Sequence, residues 1–361
     1  RGWVIVKKRE TSRKKIIDGI FTIIAPGTPL RSALNRIQEA ELGALILLGK
    51  PADFPGLIGG GFEINSDYTP QRMYELAKMD GAIILSEDIK KIYSANLQLQ
   101  PDFSIKTDES GTRHRTADRF AKQTGHLAIA VSERRNKITV YKGSFRYTLN
   151  DIKDLIVKAS QAMMALEKYT VAIENHLTNL TILEFDNMIT LNEVEEVIKK
   201  YALLFKMADE LDDYILELGN EGRLIVTQYD EIMLGLEDGL YNLIKDYNHS
   251  KDRADTIFER IRQLSEEDLL SQNNIVSILG YGTRAASFDE KVVPKGYRML
   301  NTVNRLTKKD IDLVINKFET LPNILDADAE MMNSVKGISK FKAEHIVRAL
   351  LRLHNTLMME K

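Results

Sequence analysis

Residues 28–48 read TPLRSALNRIQEAELGALILL, and the change of periodicity inside this stretch decides the fold class. Thr28 and Pro29 suit a helix start, because the threonine hydroxyl can take a free first-turn amide and proline has none to leave unpaired. Leu30, Ala33, Leu34 and Ile37 recur on one helical face. Gly43 is expected to stop that helix, and Ala44 to Leu48 is an apolar run of strand length. Farther along come a glycine-rich loop, Leu57 to Phe62, and a second helix capped by Thr69 with Pro70 at its first position. Ala82 to Leu85, Lys91 to Ser94, Leu127 to Ser132 and Lys137 to Tyr141 read as further strands. The last two flank Glu133-Arg134-Arg135-Asn136 as a hairpin. From Ile16 to Tyr147 the pattern predicts a mixed α/β domain with a partly antiparallel sheet; Arg1 to Lys8 are set aside.

Beyond Asn150 the pattern changes. Ile152, Leu155, Ile156, Ala159 and Met163 make one helical face, and Val194, Val197, Ile198, Tyr201 and Leu204 another. With few breakers before Leu270, this part is expected to be an α-helical bundle or spine. Gly280 to Tyr297 is rich in Gly, Ser, Pro and charge and reads as a connection, with Gly280-Tyr281-Gly282 as a hinge. Short helices are expected from Met299 to Leu353, two of them over Lys308 to Phe318 and Asp328 to Asn333. The domain boundaries expected are 1–149, 150–297 and 298–361.

At 361 residues the chain exceeds what one core usually supports. It has no cysteine, which excludes disulfides, thiolate zinc sites and cysteine nucleophiles. No apolar run approaches the roughly 20 residues of a membrane span, and no secretory signal pattern opens the sequence. A cytoplasmic protein is expected, without a membrane partner. Net charge is −2, but it is unevenly spread: Glu184 to Asp238 holds 15 acidic and 4 basic residues, and Val335 to Arg352 holds 5 basic and 1 acidic. The middle should repel nucleic acid, and the end can attract it.

Two clusters carry chemistry. Asp80-Gly81-Ala82 sets a carboxylate on a glycine turn before a buried strand, although Asp-Gly is also a common plain turn. Ser110-Gly111-Thr112-Arg113-His114-Arg115-Thr116 supplies a flexible turn and a hydroxyl N-cap. The helix that follows has Ala117, Phe120 and Ala121 on one side and ends at Gly125. Arg113, His114 and Arg115 crowd the first turn, where the helix dipole favours anions by about 0.3–1 kcal/mol. Either a bound anion supplies the missing negative charge, or the turn is solvated and pairs with Asp108, Glu109 or Asp118. Flanking arginines should keep His114 from ionising.

The order Asp-Gly-Ala, about thirty residues, then Gly-Thr-Arg-His-Arg resembles the diadenylate cyclase domain, over about Ile16 to Tyr147. The whole chain is similar to members of that family that add a helical spine and a DNA-binding module. The resemblance implies that two ATP molecules are condensed into cyclic di-AMP and pyrophosphate. Asp80 would act on the ribose 3′-hydroxyl or on a divalent metal, Mg2+ or Mn2+, with Arg113 and Arg115 as catalytic partners. Gly81 would let backbone approach the nucleotide, and Thr112, Arg113, His114, Arg115 and Thr116 would embrace the phosphates. Leu99, by position, would line the adenine pocket. Gly59-Gly60-Gly61 and Glu133 are further candidates for that pocket, though a glycine-rich turn and a hairpin charge account for them better.

Met332 to Ala343 resembles a helix-hairpin-helix motif, with Lys336 and Ser339 where the common form has Pro and Gly. An ordinary αα-hairpin is the alternative. Lys336, Gly337, Ser339, Lys340 and Lys342 would meet DNA phosphates, blind to base sequence. The resemblance further implies a homo-octamer with cyclase domains face to face, inhibition by branched or junction DNA, and a nucleoid-associated location. The competing reading is a non-enzymatic DNA-binding protein that senses ATP or a cyclic dinucleotide.

Overall fold

The computed structural model describes residues 12–282 and 288–359. Arg1 to Lys8, set aside above, and residues 283–287 of the expected connection lie outside the described residues. The chain divides into two compact units, Arg1–Ala159 with Asp212–Val226, and Ser160–Leu211 with Thr227–Lys361.

Among its described residues the first unit is built on eight strands. These are β1 (Ala44–Leu48), β2 (Ile58–Gly59), β3 (Phe62–Asp67), β4 (Ala82–Leu85), β5 (Lys91–Leu99), β6 (Leu127–Ser132), β7 (Lys137–Lys142) and β8 (Phe145–Thr148). They lie in the order β2-β5-β4-β1-β6-β7-β8, and β3 also pairs with β5. Only β1 and β4 are parallel, with Leu45 opposite Ala82, and every other pairing is antiparallel.

Helices cover both faces, so the central strands read as unbroken apolar runs. Ile46, Leu48, Ile83, Leu85, Ile129 and Val131 point to one side and pack against α1 (Ser12–Ile24), α2 (Pro29–Glu39) and α3 (Pro70–Ala77). Leu45, Leu47, Ile84 and the small Ala82, Ala128 and Ala130 point to the other. There they meet Phe54 and the Ala117, Phe120 and Ala121 face of α4 (Thr112–Thr124).

Thr28 and Thr69 cap α2 and α3 through Arg31 N and Arg72 N, as their sequences imply. Gly43, however, does not end α2. The helix stops at Glu39, Glu41 takes the left-handed conformation with φ 54°, and Leu42 N donates to Ile37 O. β5 also runs five residues beyond its expected end, because β2 and β3 pair along its outer edge.

Among the described residues everything after β8 is helical but for short turns and an extended connection over 290–296, which carries one bridge between Thr190 and Lys291. The helices are α5 (Ile152–Phe185), α6 (Leu191–Leu218), α7 (Arg223–Met233), α8 (Leu236–Tyr247), α9 (Ala254–Gln263), α10 (Glu266–Leu270) and α11 (Gln272–Ile278). Then come α12 (Tyr297–Asn301), α13 (Lys308–Phe318), α14 (Leu321–Asp326), α15 (Ala329–Asn333) and α16 (Lys340–Met359). α12 to α16 share one core, including Leu300, Val314, Leu321, Ile324, Met332 and Ile346. In the same unit Asp246 accepts the amides of Gly296, Tyr297 and Arg298, and the Arg298 guanidinium pairs with buried Glu184. No helix among the described residues is long and apolar enough to cross a membrane.

Candidate active site

Strand order brings the first cluster together with residues far from it in sequence. β4, β1 and β6 are neighbours. Extending the registers Leu45↔Ala82 and Ala44↔Val131 outward by two residues lands Asp80 before β4, Gly43 before β1 and Glu133 after β6 on one edge. Arg113, from the first turn of α4, spans that edge. Its Nη1 lies 3.2 Å from Glu133 Oε2 and its Nη2 lies 3.5 Å from Asp80 Oδ1.

The guanidinium rests over Gly43: a β-carbon there would stand 2.0 Å from Arg113 Nη1. Gly43 therefore makes room for the arginine rather than ending a helix. The Asp80 side chain is 99% exposed. Gly81 has φ +92°, and a β-carbon on it would stand 2.8–2.9 Å from the backbone of Asn96 and Leu97. Close packing on β5 demands glycine here, whatever else Gly81 does.

α4 begins differently from its sequence expectation. Gly111, not a hydroxyl residue, is the N-cap, and no side chain caps the helix. The amides of its first turn therefore lack a side-chain acceptor, which is the arrangement that suits an anion. The Ser110 hydroxyl instead accepts from Arg135 Nη2 at 3.2 Å, tying the turn to the β6–β7 hairpin. None of Asp108, Glu109 and Asp118 neutralises the first-turn arginines. Glu109 pairs with Arg146 at 2.8 Å and Asp118 with Lys122 at 2.7 Å. Arg115 is exposed and makes no ion pair among the described residues. Thr112 is exposed and Thr116 half-buried on the same turn.

His114 sits at the end of a buried relay. Its Nδ1 is 2.8 Å from Tyr141 Oη, and Tyr141 donates to Glu109 Oε1 at 2.8 Å. A carboxylate can only accept, so the tyrosine proton goes to Glu109 and the tyrosine oxygen accepts from His114 Nδ1–H. The neutral ring then carries its free lone pair on Nε2. Burial lowers the pKa of His114, and the charges of Arg146, Arg135 and Arg113 push the same way against Glu109. The neutral histidine can receive a hydrogen bond from a ligand but adds no cation to the phosphates.

Leu99 ends β5 opposite Ile58 and packs at the margin of the Phe54 and Phe120 cluster with Leu57, Ile58 and Tyr93. Gly59 pairs with Gln98 in β2, and Gly61, φ +70°, packs on the carbonyls of Ala95 and Asn96. No group of three or more His, Asp or Glu residues among the described residues could hold a metal. Asp80, a single exposed hard oxygen donor, fits an ion that keeps several waters and takes its other ligands from phosphates, as Mg2+ does.

In the other unit, Gly337 has φ +105° and turns the chain between α15 and α16. Ser339 Oγ accepts from Lys342 N at 3.4 Å. Lys336, Ser339 and Lys340 are exposed, whereas the Lys342 ammonium lies 2.7 Å from buried Asp310 Oδ2.

Residues 31–145 match the family described as DisA bacterial checkpoint controller nucleotide-binding, and residues 149–288 the DisA bacterial checkpoint controller linker region. The DNA integrity scanning protein DisA of Clostridium botulinum (strain Loch Maree / Type A3) is 43% identical over 97% of this chain and 99% of its own length. Its namesake in Acetivibrio thermocellus is 44% identical over 94% of this chain and 95% of its own. Among solved structures, a double mutant of DacA from Staphylococcus aureus has 23% identity and a TM-score of 0.27, covering 38% of this chain and 87% of that one.

Proposed function

Since the chain belongs to the DisA family and is a diadenylate cyclase that uses ATP, we propose that the edge made by Asp80, Arg113 and the α4 N-terminus is one half of its catalytic site. The observation that carries this reading is the placement of Arg113 between Asp80 and Glu133 over Gly43, beside a helix start with no side-chain cap.

In the reaction a ribose 3′-oxygen bonds to the α-phosphorus of a second ATP, and the bond from that phosphorus to pyrophosphate breaks. Repeated in the opposite sense, the step closes cyclic di-AMP and releases two pyrophosphates. Arg113 and Arg115, with the amides and hydroxyls of Thr112 and Thr116, hold phosphate oxygens. Arg113 already lies beside Asp80, so a phosphate it grips is brought to the carboxylate. Preorganised cations of this kind lower the barrier where charge builds up. Asp80 receives or orients the 3′-hydroxyl proton. It would also hold Mg2+ or Mn2+, whose charge, when bound, offsets that of the triphosphate. His114 Nε2 accepts from the nucleotide, Gly81 keeps the turn close, and Leu99 offers an apolar margin to adenine.

Each ATP must attack the other, so two copies of the edge have to face each other. A homo-octamer that pairs cyclase domains is the assembly proposed. We assign 1–149 to the cyclase domain, 150–297 to the linker and 298–361 to a helix-hairpin-helix domain. Its Lys336, Gly337, Ser339 and Lys340 face DNA phosphates, while Lys342 braces the turn through Asp310. The relatives' name, DNA integrity scanning protein, supports DNA as the partner. Branched DNA bound there lowers cyclase output, in a cytoplasmic, nucleoid-associated protein.

Incubation with ATP and Mg2+ or Mn2+, followed by chromatography, should yield cyclic di-AMP and pyrophosphate in a ratio of one to two. Specific activity should fall on dilution as paired sites separate. ATP bound without turnover, or a specific activity independent of dilution down to dissociated protomers, would overturn this reading.

A further inference from the structure

Away from the candidate active site the first unit has a polar cavity of about 680 Å3, between α2, the β6–β7 hairpin and the start of α5. That is roomy enough for a small metabolite. Its lining brings four cations, Arg31, Arg135, Lys137 and Lys153, against three carboxylates. Arg31 is only 3% exposed. Its Nε donates to Asn35 Oδ1 at 2.9 Å and its Nη2 to Asn150 O at 3.5 Å, but its Nη1 is buried without a partner among the described residues.

Glu217, the carboxylate with most influence on Arg31, does not supply that partner. Its oxygens accept from Asn150 N at 2.7 Å, Asn150 Nδ2 at 2.8 Å and Tyr147 Oη at 2.6 Å. A buried guanidinium with an unmet N–H calls for an oxygen acceptor, preferably an anionic one. Burial lowers the Arg31 pKa, but a guanidinium stays charged at physiological pH. Amide side chains such as Asn35 and Gln38 share the wall with it and suit a polar ligand body.

The cavity shares the β6–β7 hairpin with the candidate active site. Gln38 Nε2 donates to Asn136 O at 2.6 Å, Arg135 to Ser110 Oγ at 3.2 Å, and Arg113 to Glu133 Oε2 at 3.2 Å. We propose that this cavity binds a small polar molecule through a phosphate or carboxylate group placed on Arg31, with Lys137 and Lys153 at its mouth, and that occupancy is felt at Arg113 through the hairpin. The second clause rests on Arg113 being part of the catalytic site; the first does not.

The full-length protein is titrated calorimetrically with inorganic phosphate and, separately, with succinate, at constant ionic strength. At least one probe should show saturable binding that survives Arg115→Ala, weakens about tenfold in the Lys137→Ala, Lys153→Ala double variant, and disappears in Arg31→Met. Which probe binds separates phosphate from carboxylate. No saturable binding of either probe would overturn the proposal, as would binding kept by the lysine pair but lost with Arg115→Ala. The lysines are exposed, so the double variant decides even if Arg31→Met fails to fold. A probe held at about the native Kd should change the KM for ATP in the native chain and change it far less in the lysine pair, whose site is then mostly empty. An unchanged KM would overturn the coupling while leaving the site.

Discussion

Replacing Gly43 by alanine should cripple the cyclase while sparing the fold. The added carbon would stand 2.0 Å from Arg113 Nη1 and 2.5 Å from Arg113 Cζ, both well inside contact. Gly43 is not among the positions with positive φ, so the backbone can accept alanine as it stands. What must give way is the far end of a long side chain. Arg113 then leaves its positions 3.2 Å from Glu133 and 3.5 Å from Asp80. A hydrogen bond to a charged group is worth about 1.5–3 kcal/mol, so moving the guanidinium off a phosphate should cost about ten- to 150-fold in turnover. Gly→Ala at a compatible position removes unfolded-state entropy worth about 0.4–1 kcal/mol. The Tm should hold or rise. Cyclic di-AMP formation measured beside a thermal melt separates the two effects. A folded Gly43→Ala protein with turnover within about twofold of native would refute the assignment of Arg113 to phosphate binding.

Tyr141→Phe removes the hydroxyl that joins His114 to Glu109 and should cost about 1–3 kcal/mol of stability, read from the denaturation midpoint; an unchanged midpoint would argue against the relay. Glu195 has both carboxylate oxygens buried without partners among the described residues, and burial raises its pKa to about 6, with Lys199 opposing the rise and Glu196 adding to it. Its folded pKa lies above the ordinary 4.5, so its stabilising contribution is complete below the unfolded value and lost as pH rises through about 6. Glu195→Met should therefore gain about 1 kcal/mol near pH 8 and almost nothing near pH 4.5; an equal gain at both would contradict the buried charge. Lys336→Ala with Lys340→Ala should reduce the log–log salt slope of DNA binding by about 2, whereas Lys342→Ala, which strips Asp310 of its cation, should lower the melting temperature instead.

The sequence signals structure most clearly where the cause is local. Thr28-Pro29 and Thr69-Pro70 announce helix starts because the capping chemistry lies within three residues, and Gly125 ends α4 with φ 74°. Asp80 and Arg113 share a family motif, yet their contact depends on β1, β4 and β6 lying side by side, which no local window contains. Gly43 shows the same limit. It follows a helical stretch and so resembles a stop, but its role is set by an arginine 70 positions later. β2, β3 and β8 leave no clear local signal because they are short or flanked by glycines, and they hold together through β5 and β7. Lys342 is equivalent to Lys340 in the sequence alone, and what separates them is Asp310, which α13 places beside Lys342. The register Leu45↔Ala82, once drawn, would have pointed to Gly43, since it sets positions 43 and 80 opposite one another.

The role proposed for Asp80, exposed at the strand edge beside Arg113, is to take part in joining two ATP molecules. The direct measurement is cyclic di-AMP and pyrophosphate production by Asp80→Asn, an isosteric change at a side chain that is 99% exposed. The substitution should leave the melting temperature unaltered and reduce product by about a thousandfold or more, as expected when a group acting in the transition state is lost. A well-folded Asp80→Asn protein that makes cyclic di-AMP at near-native rate would contradict the account.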